Sequence, residues 1–153
     1  MKIAIGCDNL AIGLKNTIIN FLKELDQGKV EILDFGVTEP GPVDYPDMAE
    51  KVAVAVAQGE YDRGILICGT GIGMAMAANK VPGIRAAQIY DIYSAERSRK
   101  SNNAQIITLG ALVTGASLAI KLVEAWYYSE FQGGRSTRKV DKIMAIEDRY
   151  RND

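Results

Sequence analysis

Histidine is absent from the 153-residue sequence. Its absence excludes Ser-His-Asp and Cys-His catalysis, histidine proton shuttles and metal sites built on histidine. Cysteine is scarce, and the two cysteines, Cys7 and Cys68, lie too far apart in the sequence to form a CxxC zinc or redox pair. Two thiols also cannot staple a domain of this size. The chain is therefore predicted to be a reduced, cytoplasmic protein.

Long apolar runs and an excess of one charge are also missing. No run approaches the roughly 18 apolar residues of a membrane-spanning helix, and the N-terminal segment 1–6 lacks the charged-then-apolar layout of a signal peptide. Lys plus Arg number 18 and Asp plus Glu number 19, for a formal net charge of −1 at pH 7. This balance gives no general attraction to nucleic acid. We therefore expect neither a membrane nor a nucleic acid as a partner.

The remaining composition is typical of one globular domain, since 48% of the residues are apolar and 24% are charged. Short apolar runs predict five strands, at 2–7, 30–35, 64–68, 84–89 and 105–109. Helical periodicity predicts helices at 10–25, 47–58, 91–102 and 115–128, with a Pro- and Gly-rich loop at 36–46 and a charged helical tail at 135–153. The alternation predicts an α/β fold, a single three-layer Rossmann-like domain over residues 1–153 with a five-stranded parallel sheet.

The segment from Cys68 to Gly73, CGTGIG, joins a buried strand to a predicted helix. In an open parallel sheet, ligands bind beyond the carboxyl ends of the strands. The N–H groups of a glycine-rich turn at the start of a helix point at anions and favour the thiolate form of a nearby cysteine. The GxGxG spacing, without the acidic residue of a dinucleotide fingerprint, disfavours a dinucleotide site. A merely structural cysteine is the alternative, but the position at a strand end favours a reactive thiol.

Other candidates at strand ends carry a weaker signal. Cys7 is not followed by a glycine-rich turn, and the neighbouring Asp8 disfavours a thiolate there. Asp8, jointly with Asn9, is also predicted to be a helix N-cap. Tyr45 lies in the predicted loop, where it either packs down or faces a ligand.

The sequence holds two groups of basic residues. The first follows Gly133-Gly134 and consists of Arg135, Arg138 and Lys139. It is either a solvated helix face or a phosphate clamp. The second lies on the predicted helix 91–102, is expected to be solvated, and consists of Arg97, Arg99 and Lys100.

Five motifs together resemble the ribose-5-phosphate isomerase B and galactose-6-phosphate isomerase family. They are GCDN at 6–9, VDYPD at 43–47, GILICGTGIGM at 64–74, AANKVPGIRAA at 77–87 and GGRSTRKVDKI at 133–143. The resemblance runs in order over nearly the whole chain. It implies a Rossmann-like subunit in a homodimer or a dimer of dimers, with sites at the interface. It also implies aldose–ketose isomerisation of a sugar phosphate through an enediolate, without a metal or an organic cofactor.

The resemblance implies a role for each matching residue. Cys68 is the base that moves a proton between neighbouring carbons, Thr70 stabilises the enediolate oxygen, and Asp8 is the acid near the sugar ring oxygen. The implied substrate-binding residues are Asn9, Tyr45, Gly69, Gly71, Gly73, Ser101, Asn102, Arg135 and Lys139. The tail is expected to reach across a two-fold dimer and to place Arg135 or Lys139 near the Cys68 of the partner.

The sequence departs from the family pattern at the positions that are implied to open the sugar ring and to bind its phosphate. Asn9 and Ser101 stand where the family has histidines, and the second of those histidines is held to open the furanose ring. Leu112 and Lys139 stand where the family has arginines that bind phosphate. Serine cannot relay a proton as imidazole does, and leucine offers no phosphate donor. The proton-transfer end is therefore intact, whereas the ring-opening and phosphate-binding ends are altered.

Three functions are compatible with these departures. The first is an isomerase for an open-chain or differently phosphorylated sugar, such as a tetrose phosphate. The second is one subunit of a hetero-oligomer whose unlike chain supplies the missing histidine. The third is a sugar-phosphate-binding protein without turnover. The first is favoured, because the intact Cys68, Thr70 and Asp8 disfavour the third, and the retained Gly133-Gly134-Arg135 disfavours the second.

Overall fold

Five parallel strands form one sheet in the computed structural model, which describes residues 1–151. The strands are β1 (Lys2–Cys7), β2 (Glu31–Asp34), β3 (Arg63–Cys68), β4 (Ala86–Gln88) and β5 (Ile106–Gly110). Their order across the sheet is β2-β1-β3-β5-β4. All five predicted strands are confirmed, with ends that differ from the prediction by about two residues at most.

Helices cover both faces of the sheet. They are α1 (Ile12–Glu24), α2 (Tyr45–Ala57), α3 (Ile72–Ala78), α4 (Ile92–Lys100), α5 (Ala116–Tyr127) and α6 (Thr137–Arg151), with short 3₁₀ turns at Leu25–Gly28 and Gly134–Ser136. Side chains alternate along each strand, so Ile3 and Ile5 pack with Trp126 of α5 on one face. Ala4 packs with Val52 of α2 on the other face. The predicted three-layer α/β architecture is therefore confirmed.

Two boundaries near the carboxyl edge of the sheet differ from the prediction. Helix α2 begins at Tyr45, inside the predicted loop, because Asp44 occupies the N-cap position and Pro46 lies in the first turn, where a missing N–H costs nothing. Helix α1 begins at Ile12, so Leu10 lies before the helix and is 62% exposed rather than part of its apolar face.

The predicted helical tail forms α6, apart from residues 152 and 153, which lie outside the described part of the chain. Val140 is buried against the body of the protein. Ile143 and Ile146, one turn apart on the same helix, are about half exposed. Within residues 1–151, no helix combines the length and the apolar character needed to cross a membrane.

Candidate active site

The carboxyl ends of the three central strands bring the predicted catalytic residues to one edge of the sheet. Strand β3 ends at Cys68, which lies beside Gly110 at the end of β5. Strand β1 ends at Cys7, and the N–H of the next residue, Asp8, donates to the Ile67 carbonyl at 3.1 Å. Asp8 and the Cys68 turn are thus neighbours across the sheet, as the parallel topology requires.

Cys68 is buried and has a backbone donor aimed at its sulfur. The Gly71 N–H donates to the Cys68 Sγ at 3.1 Å. Gly71 has a φ of +83°, and a Cβ at that position would lie 2.9 Å from the backbone carbon of Leu109, so glycine is required there. A thiolate at Cys68 would accept a charge-assisted hydrogen bond from this N–H.

Thr70 lies at the exposed tip of the same turn. Its Oγ1 accepts from the Ile72 N–H at 3.3 Å, which leaves the hydroxyl proton available to a ligand. Its carbonyl oxygen accepts from the Gln88 Nε2 at 2.7 Å and from the Tyr90 hydroxyl at 3.2 Å. Gln88 is not among the residues predicted for the site, although a polar glutamine at the end of strand β4 is a usable signal in the sequence.

Asp8 caps its own turn rather than a helix. Its Oδ1 accepts from the Leu10 N–H at 2.9 Å, and its carbonyl accepts from the Ala11 N–H at 3.2 Å. Burial raises the pKa of the Asp8 carboxyl, and the hydrogen bond from Leu10 opposes this shift. The prediction that Asp8 and Asn9 form the N-cap of the first helix is wrong, because Ala11 occupies that position without a side-chain cap.

Asn9 binds the 36–46 segment, and Tyr45, at the end of that segment, packs against the Cys68 turn. The Asn9 side chain forms two hydrogen bonds with the Gly41 backbone, of 2.6 Å from its Nδ2 and 3.0 Å to its Oδ1. The Tyr45 ring lies over Gly73, so closely that a Cβ on Gly73 would be 2.5 Å from a ring carbon. Both predicted substrate-binding residues therefore lie next to the Cys68 turn.

Cys7 is the second thiol, and its environment is unlike that of Cys68. It is fully buried in the core, and its thiol donates to the Val37 carbonyl at 3.7 Å. Burial raises the pKa of Cys7, while the nearby Lys15 opposes that shift. These surroundings favour the neutral thiol, in agreement with the expectation that Cys7 is the weaker candidate for a reactive thiol.

The remaining predicted substrate-binding residues lie elsewhere. Ser101, Asn102, Arg135 and Lys139 line a cavity of about 610 Å³ that Arg97 and Arg138 also line. Helix α4 starts beyond the carboxyl end of β4 and runs back along the sheet for nine residues, which is about 13 Å at ~1.5 Å per residue. Ser101, at the end of that helix, thus lies toward the opposite edge of the sheet from Cys68. A single chain does not bring the two groups of residues together.

The basic cavity is built for an anion. Four cationic side chains line it, those of Arg97, Arg135, Arg138 and Lys139. The Arg97 Nε donates to the Ser101 Oγ at 2.7 Å, which ties a guanidinium to the predicted ring-opening position. Arginine and lysine groups that converge on one cavity are suited to a phosphate.

The expectation that the basic residues of α4 are solvated is wrong for Arg99. Its side chain is 10% exposed and lies 3.6 Å from the Glu130 carboxylate. Its Nη1 donates to the Ala104 carbonyl at 2.9 Å. Burial lowers the pKa of Arg99, an effect that Glu130 opposes. Arg97 is half-buried at the cavity wall, and Lys100 pairs with Glu96 at 2.7 Å.

Within residues 1–151, no group of three or more acidic or cysteine side chains is arranged to hold a metal ion. The thiol, carboxylate, hydroxyl and backbone N–H groups at the carboxyl edge are suited to proton transfer and to stabilising an oxyanion.

The chain is similar to sugar-phosphate isomerases over nearly its whole length. Residues 3–143 match the family model described as Ribose/Galactose Isomerase. The chain is 58% identical over 151 residues to the Ribose-5-P isomerase B of Listeria innocua, covering 99% of this chain and 100% of that protein. It is 52% identical to the D-erythrulose-4-phosphate isomerase of Pectobacterium atrosepticum, covering 96% and 95% of the two chains.

A solved structure is also similar to the chain over nearly its whole length. The ribose-5-phosphate isomerase B of Clostridium thermocellum is 51% identical and has a TM-score of 0.94, covering 98% of this chain and 99% of that chain. The chain therefore belongs to the ribose/galactose isomerase family, and it is an aldose–ketose isomerase.

Proposed function

We propose that this chain isomerises a short sugar phosphate with a free carbonyl, such as erythrose 4-phosphate and its ketose partner, with Cys68 as the base. The observation that carries the proposal is the hydrogen bond of 3.1 Å from the Gly71 N–H to the Cys68 Sγ. It places a thiolate-stabilising donor at the strand end where ligands of such sheets bind. Relatives named for ribose 5-phosphate and for erythrulose 4-phosphate are both similar to the chain.

The proposed reaction moves one proton between adjacent carbons. The Cys68 thiolate removes the proton from the hydroxyl-bearing carbon next to the aldehyde, and the electron pair moves into the carbonyl to give an enediolate. The Thr70 hydroxyl and the nearby N–H groups stabilise the oxyanion. The thiol then returns the proton to the former aldehyde carbon, while the remaining hydroxyl proton moves to the other oxygen. No electrons are gained or lost, and no step requires a metal or an organic cofactor.

The absence of histidine supports a substrate that needs no ring opening. A furanose must be opened by an acid and a base at its ring oxygen and anomeric hydroxyl. In this chain Asn9 is hydrogen-bonded to Gly41, and Ser101 is bonded to Arg97. Asp8 is the carboxyl group beside the Cys68 turn, and its raised pKa suits a proton donor. A tetrose phosphate cannot close a furanose ring through its phosphorylated carbon, so it avoids this step.

The proposed assembly is a homodimer, or a dimer of dimers, in which each site combines two copies of the chain. Cys68, Thr70 and Asp8 lie at one edge of the sheet, whereas Arg135 and Lys139 line a cavity toward the other. Docking the basic cavity of one copy over the Cys68 turn of another supplies the phosphate site. In this arrangement residues 1–153 form one domain, and the tail packs on the partner through its exposed Ile143 and Ile146.

The cellular compartment of the proposal is the cytoplasm. Both cysteines are free and buried, so the fold does not depend on an oxidising environment.

The test is a panel of aldose and ketose phosphates of four to six carbons with the purified chain. We expect turnover of erythrose 4-phosphate or its ketose to exceed that of ribose 5-phosphate. Cys68→Ala should abolish turnover, and the matched Cys7→Ala should retain most of it. Normal turnover by Cys68→Ala would disprove the mechanism. Binding without turnover by the unmodified chain would instead favour a half-site subunit or a sugar-phosphate-binding protein.

A further inference from the structure

The peptide bond between Thr70 and Gly71 links two sets of hydrogen bonds. Its N–H donates to the Cys68 Sγ at 3.1 Å. Its carbonyl oxygen accepts from the Gln88 Nε2 at 2.7 Å and from the Tyr90 hydroxyl at 3.2 Å. In a trans peptide the C=O and the N–H point in opposite directions from one rigid plane. Whatever holds the Thr70 oxygen therefore also aims the Gly71 N–H.

The opposite side of this peptide is held by strand β5. A Cβ on Gly110 would lie 2.6 Å from the Thr70 carbonyl carbon, so the two backbones are in close contact. The Thr108 Oγ1 donates to the Gly71 carbonyl at 2.8 Å. These contacts fix the position of the turn, but none of them binds the Thr70 oxygen. The orientation of the peptide plane depends on Gln88 and Tyr90.

Gln88 and Tyr90 act on that oxygen as a pair. Gln88 is the last residue of β4, and Tyr90 lies two positions further along the chain. The Gln88 Nε2 also donates to the Tyr90 hydroxyl oxygen, which directs the tyrosine proton toward the Thr70 carbonyl. Hydrogen bonds in a chain polarise one another, so two donors on the carbonyl strengthen the N–H at the other end of the amide.

We propose that Gln88 and Tyr90 are positioning residues, which hold the Thr70–Gly71 peptide so that its N–H stabilises the Cys68 thiolate. The proposal rests on the proposed function for its catalytic meaning, since Cys68 is the base there. The hydrogen bond to the Cys68 thiol exists without substrate, so it can be tested whatever the substrate is.

The experiment compares Tyr90→Phe, Gln88→Leu and the double variant with the unmodified chain. Alkylation of Cys68 by iodoacetamide is followed by peptide mass spectrometry from acid to alkaline pH. We expect the rate at neutral pH to fall about threefold in each single variant and about tenfold in the double variant. The rates should converge with the parent at alkaline pH, where every thiol is ionised. The matched control is Tyr93→Phe, because that ring is 74% exposed and, within residues 1–151, its hydroxyl forms no hydrogen bond with the protein.

Cys7 reports on the fold in the same samples, because it is fully buried. Unchanged Cys68 rates in the double variant would overturn the proposal, as would slower Cys68 alkylation accompanied by faster Cys7 alkylation, since that pattern indicates general loosening. In steady-state kinetics, Tyr90→Phe should lower kcat with little change in KM. Should Cys68→Ala retain turnover while the alkylation rates still fall, the proposed function would fail and the positioning role would stand.

Discussion

The Lys15 ammonium, on α1, lies 2.6 Å from the Asp34 carboxylate at the end of β2, and the lysine side chain is fully buried. The same Nζ donates to the Val37 carbonyl at 2.9 Å, and the Gly36 N–H donates to Asp34 at 2.8 Å. This ion pair fixes the start of the segment that runs to Gly41 and Tyr45. A buried charge on α1 thereby sets the path of the segment that carries Tyr45 to the Cys68 turn.

Lys15→Met should lower the free energy of unfolding by about 2–3 kcal/mol. Removing one partner of a fully buried ion pair typically costs about 3–5 kcal/mol. We expect a smaller loss here, because the Asp34 side chain is 29% exposed and keeps some hydration. Adding Asp34→Leu should recover part of the loss, since it removes the uncompensated carboxylate. Urea unfolding provides the measurement. Lys23→Met, on the exposed side of the same helix, is the control and should change stability by less than about 0.5 kcal/mol. Equal effects of the two lysine substitutions would contradict this account.

Gly73→Ala should impair substrate binding without loss of stability. The new methyl group would lie 2.5 Å from the Tyr45 ring and displace it, while alanine is favoured over glycine in a helix by up to about 1 kcal/mol. We expect KM to rise severalfold at an unchanged or higher melting temperature. Gly13→Ala, in α1, has no neighbour within 4 Å of its Cβ and should leave KM unaltered. An unaltered KM in Gly73→Ala would show that the position of Tyr45 does not matter for substrate binding.

Asp8→Asn should stabilise the protein at neutral pH. Because burial raises the pKa of Asp8, the folded chain retains a proton that the unfolded chain has already released, and stability falls as the pH rises through that window. Asparagine keeps an oxygen for the Leu10 N–H but carries no charge. The gain in melting temperature should therefore disappear below the usual aspartate pKa of about 3.9. Turnover should fall by about 100-fold or more if Asp8 is the acid.

Asp91→Asn should have the opposite effect on stability. The hydroxyl and the N–H of Ser94 donate to Asp91 and lower its pKa, so the carboxylate stabilises the fold above its unfolded pKa. That contribution is lost as the pH falls through the lowered value. Thermal melts across acid to neutral pH should show a destabilisation that is present at neutral pH and vanishes in acid. Shifts of the same sign for Asp8→Asn and Asp91→Asn would contradict the assignment.

Two inactive variants should restore activity to each other if the site is shared between copies. Cys68→Ala and Arg135→Ala chains, co-expressed, form mixed dimers in which one of the two sites has both residues intact. Random mixing then gives about a quarter of the parent activity. Mixing Cys68→Ala with Thr70→Ala is the control and should give none, because both changes affect the same edge of the sheet. No recovery in the first mixture would place both residues in one chain.

Ser101→His should raise turnover of ribose 5-phosphate by about tenfold or more relative to turnover of erythrose 4-phosphate. General acid–base help is typically worth ~100- to 10,000-fold, and a partial gain is expected from an unoptimised imidazole. The 610 Å³ cavity beside Ser101 leaves room for the ring. Ser117→His, at an exposed position of α5, is the control and should not change the ratio. A parent chain that already turns over ribose 5-phosphate as fast as any open-chain sugar would refute the ring-opening argument.

Local patterns were sufficient to predict the strands and the glycine-rich turn after Cys68. The run at 64–68 is apolar without interruption because β3 is buried on both faces, and the glycines after Cys68 mark a turn that approaches β5 closely. The start of α2 was predicted too late, because Pro46 in the first turn of a helix and a proline in a loop look alike in the sequence. Asp8 likewise resembles an N-cap, and only the backbone path shows that it caps a turn.

The motifs did not show how the predicted site residues lie relative to one another in the fold. The resemblance grouped Ser101 with Cys68 and led us to assign Arg135 or Lys139 to the partner, but spacing alone does not place either group relative to Cys68. The length of α4 was the available signal, because a nine-residue helix that starts at one edge of a sheet ends near the other. Gln88 acts on Thr70 through a backbone carbonyl, and no side-chain motif records such a contact.

The two outermost strands of the sheet are also its shortest, with four residues in β2 and three in β4. A short edge strand exposes few unpaired backbone N–H and C=O groups, so it is a poor template for pairing with a strand of another chain. The sheet is thereby protected against open-ended, fibre-like growth in a crowded cell. The helices and loops are then the surfaces through which the proposed dimer would form, and such contacts can close a finite, symmetric particle.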